Sequence, residues 1–283
     1  MSGAVGHKRV PREFIENLEF PFPPVQEQKR IVAILDEAFA GIETAIANTE
    51  KNLEGVREIF DSVLSQSFAD ELEDVSWRPL QKIANFIDYR GKTPKKLDSG
   101  LRLITAKNVR MGFLQREPEE FVDPETYDAW MTRGIPRKGD VLFTTEAPLG
   151  LVCQLDSDEK VVFAQRIITL QPDREVVNPE YLKYALMSRP IQASIHENAT
   201  GATAKGIKAS LLRKIDVPLP DVAVQEGMCA SLRSIERDVK IVSEKFDRKL
   251  ANLSELKQSL LQKAFSGELT ADCAERDVES ATG

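Results

Sequence analysis

Two histidines and three cysteines are all that this 283-residue chain contains. His7 and His196 lie far apart in sequence, and no Ser/His/Asp or Cys/His grouping forms around them. Cys153, Cys229 and Cys273 are scattered without metal-ligand spacing, which argues against a disulfide framework and against a zinc site. No glycine-rich Walker loop is present, so an ATP-driven motor is excluded. There is no run of 18 apolar residues and no signal peptide, which points to a soluble, cytoplasmic protein without a membrane partner.

Positive charge is also in short supply: the formal net charge is −7. Its distribution matters more than its sum. Residues 77–217 hold 22 basic against 18 acidic residues, and within 77–110 nine basic residues face only Asp88 and Asp98. An acidic frame carrying a locally basic module suits phosphate binding at one place and protein contacts elsewhere.

What the chain has in abundance is itself. Residues 21–72 and 218–269 align without a gap at an offset of 197 residues. Pro21 falls on Pro218, Pro23 on Pro220, Gln28 on Gln225, Leu64 on Leu261, Phe68 on Phe265, and Glu71-Leu72 on Glu268-Leu269. Each copy reads as a proline-rich entry, a long helix and an exit turn. One apolar stripe in alternating steps of three and four runs through Leu35, Ile42, Leu53 and Phe60. A matching stripe runs through Leu232, Val239, Phe246, Leu253 and Leu260. Such steps mark a coiled-coil seam, so the two helices are expected to pack antiparallel as a rod of roughly 65 Å. Gly267 is expected to stop the second helix and the acidic cluster at 71–74 the first.

Between the repeats, 75–217 reads as one mixed α/β domain. Strands are expected at Leu101–Thr105, Asp140–Thr144, Leu149–Leu155, Val161–Phe163 and Ile167–Leu170, bounded by turn residues. Helices are expected at Pro124–Met131 and at Pro179–Ser188, the latter capped by Asn178. The fold class is α+β: one globular mixed domain flanked by two long helices that form an antiparallel coiled coil. Four polar loops carry candidate DNA-binding residues. They are Tyr89, Arg90, Lys92 and Thr93; Lys107, Asn108 and Arg110; Thr144, Thr145 and Glu146; and Thr203 with Lys205. Arg and Lys suit guanine, Asn suits adenine, a carboxylate accepts from cytosine, and Ser/Thr and Lys position phosphates.

The proline-rich entries with Gln28 and Gln225 and the helices ending in Phe68 and Phe265 before Glu-Leu are joined by further motifs. These are Trp77-Arg78-Pro79-Leu80, Gly139-Asp140-Val141-Leu142 running into Thr145-Glu146-Ala147-Pro148, and Gly201–Ile207 leading into Ile215–Pro220. Together, in this order, they closely resemble the DNA specificity subunit of type I restriction–modification enzymes, a prokaryotic family. The resemblance implies a non-catalytic subunit with two target recognition domains, each reading half of a bipartite site on double-stranded DNA. The helices act as spacer and dock modification subunits that bring S-adenosylmethionine and methylate adenine. A restriction subunit adds ATP- and Mg-dependent translocation and cleavage. No cofactor is implied on this chain.

Only one recognition domain is present. Ser2-Gly3-Ala4 and Phe14–Pro21 mirror Gly201-Ala202 and Leu211–Pro218, so 1–20 reads as the tail of a first recognition domain. The layout expected is therefore 1–20 remnant, 21–74 first spacer helix, 75–217 recognition domain, 218–269 second spacer helix and 270–283 flexible tail. A symmetric homodimer would restore two readers. Enzymatic readings are thin. Asn178-Pro179-Glu180-Tyr181 lacks the second proline of the amino-methyltransferase motif, and Glu255-Leu256-Lys257 lies on the helix seam. The competing reading is an assembly or antagonist protein that docks the modification subunit through its coiled coil without reading DNA. It would leave Arg90, Lys92, Lys107, Arg110 and Lys205 scattered rather than on one exposed surface.

Overall fold

The two copies of the repeat become the two longest helices. The computed structural model describes residues 10–18, 21–69, 75–89, 94–201 and 205–270. A five-residue helix, α1 (Arg12–Glu16), precedes α2 (Val25–Ser67) of 43 residues; α7 (Val222–Ser266) has 45. Pro220 and Pro24 stand just before the helices, where a missing backbone N–H costs nothing. Gly267 follows α7 at φ +82, the left-handed turn that ends helices and that glycine adopts without strain. The expected stop at 71–74, the flexible tail beyond 270, and most of 1–20 lie outside the described residues.

The chain divides into two units, 1–56 with 241–283 and 57–240, a division that cuts through both helices. In the first unit the expected seam coincides with the buried face. Ile42 and Leu53 are buried, Leu35, Phe246, Leu253 and Leu260 half-buried. Thr49 is fully buried on the same stripe, its hydroxyl donating to Ala45 O at 2.6 Å and so satisfying itself within the helix. Lys257 Nζ lies 3.2 Å from Glu43 Oε1 and 4.9 Å from the centre of the Phe39 ring. Side chains of α2 and α7 thus meet here.

The second unit is built on two four-stranded sheets and a two-stranded one. In chain order its elements are β1 (Ser76–Pro79), a 3-10 turn (Leu80–Lys82), β2 (Ala84–Asp88), β3 (Lys96–Leu97), β4 (Leu101–Ile104) and β5 (Phe121–Val122). A 3-10 turn (Pro124–Thr126), α3 (Tyr127–Trp130), β6 (Val141–Thr144), β7 (Val152–Gln154), β8 (Val161–Phe163) and β9 (Ile167–Pro172) follow. The unit continues through α4 (Pro179–Met187), α5 (Arg189–Glu197), α6 (Ala209–Leu212) and β10 (Asp216–Leu219). One antiparallel sheet has the order β2-β9-β6-β7; a second, mixed sheet has the order β3-β5-β4-β8, with β4 and β8 parallel. β1 pairs antiparallel with β10, Trp77 opposite Pro218.

The first sheet is buried on both faces, and strand alternation sorts its residues. Phe86, Val141, Phe143, Val152, Ile168 and Leu170 enter one core; Ile87, Leu142, Cys153 and Ile167 enter the other. The first core also takes Tyr181 and Tyr184 of α4, Phe60, Leu64 and Phe68 from the end of α2, and Cys229 and Leu232 from the start of α7. Phe68 packs on Tyr181 with ring centroids 5.2 Å apart. Polar contacts reinforce this seat. Gln225, fully buried, accepts from Asn178 N at 2.8 Å and donates to Pro220 O at 2.8 Å and Val176 O at 3.2 Å. Tyr184 Oη donates to Glu236 Oε2 at 2.6 Å, and Lys183, buried, places Nζ 3.9 Å over the Tyr184 ring. Burial and the Glu236 carboxylate both push the Tyr184 phenol up. Seam residues Phe60, Leu232 and Val239 therefore also serve the globular core.

Asn178 caps α4 as expected, its side chain accepting from Glu180 N and Tyr181 N. The helix expected at Pro124–Met131 is split into a 3-10 turn and the short α3. His196, expected beyond a helix, sits in the last turn of α5, exposed.

Candidate nucleic-acid interface

β6 and β9 end and begin at the same edge of the first sheet, Thr144 opposite Ile167. Beyond that register the 145–150 loop and the 164–166 turn are forced together. Thr145 N donates to Arg166 O at 2.8 Å and Thr145 Oγ1 to the same carbonyl at 3.2 Å. Ile207 N donates to Thr145 O at 2.9 Å, which brings in the third loop, and Glu146 bridges Gly206. A Cβ on Gly206 would stand 3.2 Å from Thr145 O, closer than nearly all real contacts, so glycine permits this approach. Ala164 N donates to Ile104 O at 2.9 Å, so the parallel strands β4 and β8 deliver 105–110 beside 164–166.

Two non-glycine residues here hold left-handed backbone, Ala147 at φ +46 and Arg166 at φ +75. Such conformations cost on the order of 1 kcal/mol or more and persist where surrounding contacts over-determine them. Arg166 Nε lies 3.1 Å from Glu146 Oε1, with both side chains 50% exposed. A pair that open to water contributes at most about 1 kcal/mol, so its effect is to orient two charges at the surface rather than to stabilise the fold.

The twelve candidate DNA-binding residues divide into three groups. Lys107, Glu146 and Lys205 are exposed, and Arg110 is half-buried with one guanidinium N–H donating to Val109 O. Arg90, Lys92, Thr93 and Thr203 lie outside the described residues. Tyr89, Asn108, Thr144 and Thr145 are buried and internally bonded. Tyr89 Oη donates to Gly134 O at 2.6 Å and accepts from Arg133 N at 2.9 Å. Thr144 Oγ1 accepts from Leu151 N at 2.9 Å. Asn108, fully buried, accepts at Oδ1 from Thr105 N (2.9 Å) and Oγ1 (3.0 Å) and donates to Arg116 O (3.1 Å) and Pro118 O (3.0 Å). These four side chains build the loops. A polar loop sequence does not distinguish a residue that tethers a loop from one that the loop presents.

Arg166 was not foreseen. The run Ile167–Leu170 identifies a strand, but only the fold shows that the residue before it faces Glu146. Among the described residues no cluster of three or more His, Cys, Asp or Glu is placed to hold a metal, and no helix is long and apolar enough to cross a membrane.

Residues 1–54 and 132–249 match the family model described as the type I restriction modification DNA specificity domain. Among curated relatives, the type I restriction enzyme MjaVIII specificity subunit of Methanocaldococcus jannaschii is 23% identical over 88% of this chain and 64% of its own length. The EcoBI specificity subunit of Escherichia coli is 21% identical over 95% of this chain and 62% of its own. The chain thus spans about three fifths of the length of these relatives. A solved chain from a study of complex assembly and conformational transition of the type I R-M system superposes with a TM-score of 0.71, at 21% identity, over 88% of this chain and 62% of that one. Its likeness extends to the mixed domain with a long helix at each end. With more than half its residues matched, this chain belongs to the family of type I restriction–modification DNA specificity domains.

Proposed function

We propose that this chain reads one half of a bipartite DNA site and directs adenine methylation and restriction carried out by partner subunits. The observation that carries the reading is the edge just described. There Glu146, Arg166 and Lys205 stand on loops bonded to one another through Thr145 and Gly206, and β4 brings Lys107 to the same edge. A carboxylate able to accept from cytosine N4, beside cations suited to guanine and to phosphate, is the chemistry of base readout.

The chain has no catalytic role in this reading. S-adenosylmethionine, ATP and Mg belong to the modification and restriction subunits. The long helices are the spacer, packed antiparallel as a coiled coil and docking the modification subunit. A second copy of this chain, related by a twofold axis, would supply the other reader, giving an interrupted palindrome as target. The exposed Phe22, Val32 and Phe265 around the α2 entry and α7 exit are the kind of apolar surface that assembly covers. The test is co-expression with the modification subunit, mapping of methylated adenines and mass measurement of the complex. Methylation at a defined, symmetric site by a complex with two copies is expected. Assembly without sequence-specific methylation would overturn the reading in favour of a scaffold.

A further inference from the structure

Beside the Glu146 edge stands a hairpin that the base-readout vocabulary leaves out. Val109 bridges Leu114, and Arg110 N donates to Phe113 O at 3.0 Å, closing a tight turn over Met111-Gly112. Gly112 holds φ +89, and its N–H donates to Val152 O at 2.8 Å, fastening the turn to β7. A Cβ there would press on Met187 Cε at 3.3 Å. The stem is equally fixed. Gln115 N donates to Asn108 O at 2.8 Å, and Asn108 ties both strands of the excursion through its side chain.

All this ordering presents two apolar side chains to solvent: Phe113, 59% exposed, and Met111, 40% exposed. A single exposed apolar residue is ordinary. An aromatic one at the tip of a turn tethered from three sides is different, because the backbone that carries it is already fixed before any partner arrives. Its neighbours narrow the partner. Lys107 is exposed at the hairpin base and half-buried Arg110 flanks the tip, while the Glu236 carboxylate, 3.5 Å from where a Gly112 Cβ would stand, already accepts from Tyr184 Oη. Residues 77–110 are the most basic stretch of the chain, nine cations against two carboxylates. The Gly112–Val152 bond sets the tip beside the strand that follows the Glu146 loop.

We propose that Phe113 is an apolar contact to the bases of duplex DNA, entering the groove from the hairpin tip with Met111 as its flank. The proposal rests on the DNA-reading function above and adds a residue that acts by packing rather than by charge or hydrogen bonding. Apolar wedges of this kind press on base steps or on thymine methyl groups. They release no counterions, so their loss lowers affinity without changing its salt dependence.

The test uses the full chain in complex with its modification subunit and a duplex bearing the methylated site mapped by co-expression. Phe113→Ala is expected to weaken binding by roughly tenfold, with the slope of log affinity against log salt unchanged. Phe113→Leu should recover part of the loss. Thermal unfolding of both variants should match the parent, since the side chain is exposed. If the parent binds the mapped duplex and Phe113→Ala binds it equally well, the inference falls and the DNA-reading function stands. If Phe113→Ala instead disrupts assembly with the modification subunit, the residue is a protein contact and the inference falls. A parent that binds no duplex overturns both.

Discussion

Replacing Asn108 by alanine should unfold the excursion at 105–118 rather than change which base is preferred. The side chain is fully buried and satisfies Thr105 N–H and hydroxyl on one side and the carbonyls of Arg116 and Pro118 on the other. Truncation leaves at least three backbone groups without these partners. A buried group left unsatisfied costs about 1–3 kcal/mol. Local relaxation will admit water to some of them, so about 3 kcal/mol in total is expected, against a stability of about 10 kcal/mol for an ordinary domain. Asn108→Asp separates the two halves of the network. It keeps the acceptor for Thr105 but turns a donor into a charged oxygen facing two carbonyls, and should be at least as damaging at neutral pH. Denaturant midpoints of the full chain give the global cost, and amide exchange at Val109–Leu114 gives the local one. A loss below about 0.5 kcal/mol, the range of an ordinary surface substitution, together with altered base preference on the mapped site, would refute the reasoning and restore Asn108 as a direct reader.

Repeat-equivalent residues should respond in opposite ways. Phe68→Ala, at a fully buried ring on Tyr181, should cost about 3–5 kcal/mol, whereas Phe265→Ala, 56% exposed, should shift the thermal midpoint little. Lys107→Ala and Lys205→Ala should each reduce the salt slope of DNA binding by about 1 while leaving base preference intact, as read by anisotropy across a salt series. Burial raises the Asp140 carboxyl above its ordinary value, with bonds from Arg137 N and Gln171 opposing the shift. The native state therefore takes up this proton before the unfolded chain does as pH falls. The contribution of Asp140 becomes more favourable on acidification between its unfolded and folded values. Asp140→Asn should remove that segment of the pH–stability curve, which paired denaturation series would detect.

The helices were legible because one physical signal, a stripe in steps of three and four, runs from Leu35 to Phe60 in one and from Leu232 to Leu260 in the other. The stripe from Leu35 to Phe60 coincides with the buried side of α2 because nothing but burial sets that period. Strands were legible where hydrophobicity was continuous. Val161–Phe163 matches to the residue, since a strand covered on both sides needs no alternation. β2, with Asn85 and Asp88 among its five residues, and α5, which opens Arg189-Pro190, were missed. Each carries polar or helix-breaking residues whose cost tertiary partners offset. The candidate interface was legible as a set of loops but not as a set of contacts. Thr145 and Glu146 are adjacent, and the first is consumed by the Arg166 carbonyl while the second stands in solvent. Only the register of β6 against β9 decides which is which.

The repeat separates what local sequence determines from what the environment adds. Gln225 Nε2 donates to Pro220 O at 2.8 Å, and Gln28 Nε2 donates to Pro23 O at 2.7 Å. The same glutamine, five residues after the same proline, closes the same bond over each helix start, so this capping device is local. The surroundings differ. Gln225 is fully buried and also bonds Asn178 N and Val176 O, whereas Gln28 is half-buried and beside it Phe22 is 82% exposed. Equivalent residues thus hold an α4 helix start at one site and line an open apolar groove at the other. The bond itself is common to both sites and contributes about 1 kcal/mol, as a typical intramolecular hydrogen bond does. What distinguishes the two sites is the apolar area around them, at about 25 cal/mol per Å². The stability of each helix end is accordingly set by what packs on it, not by the motif that the two ends share.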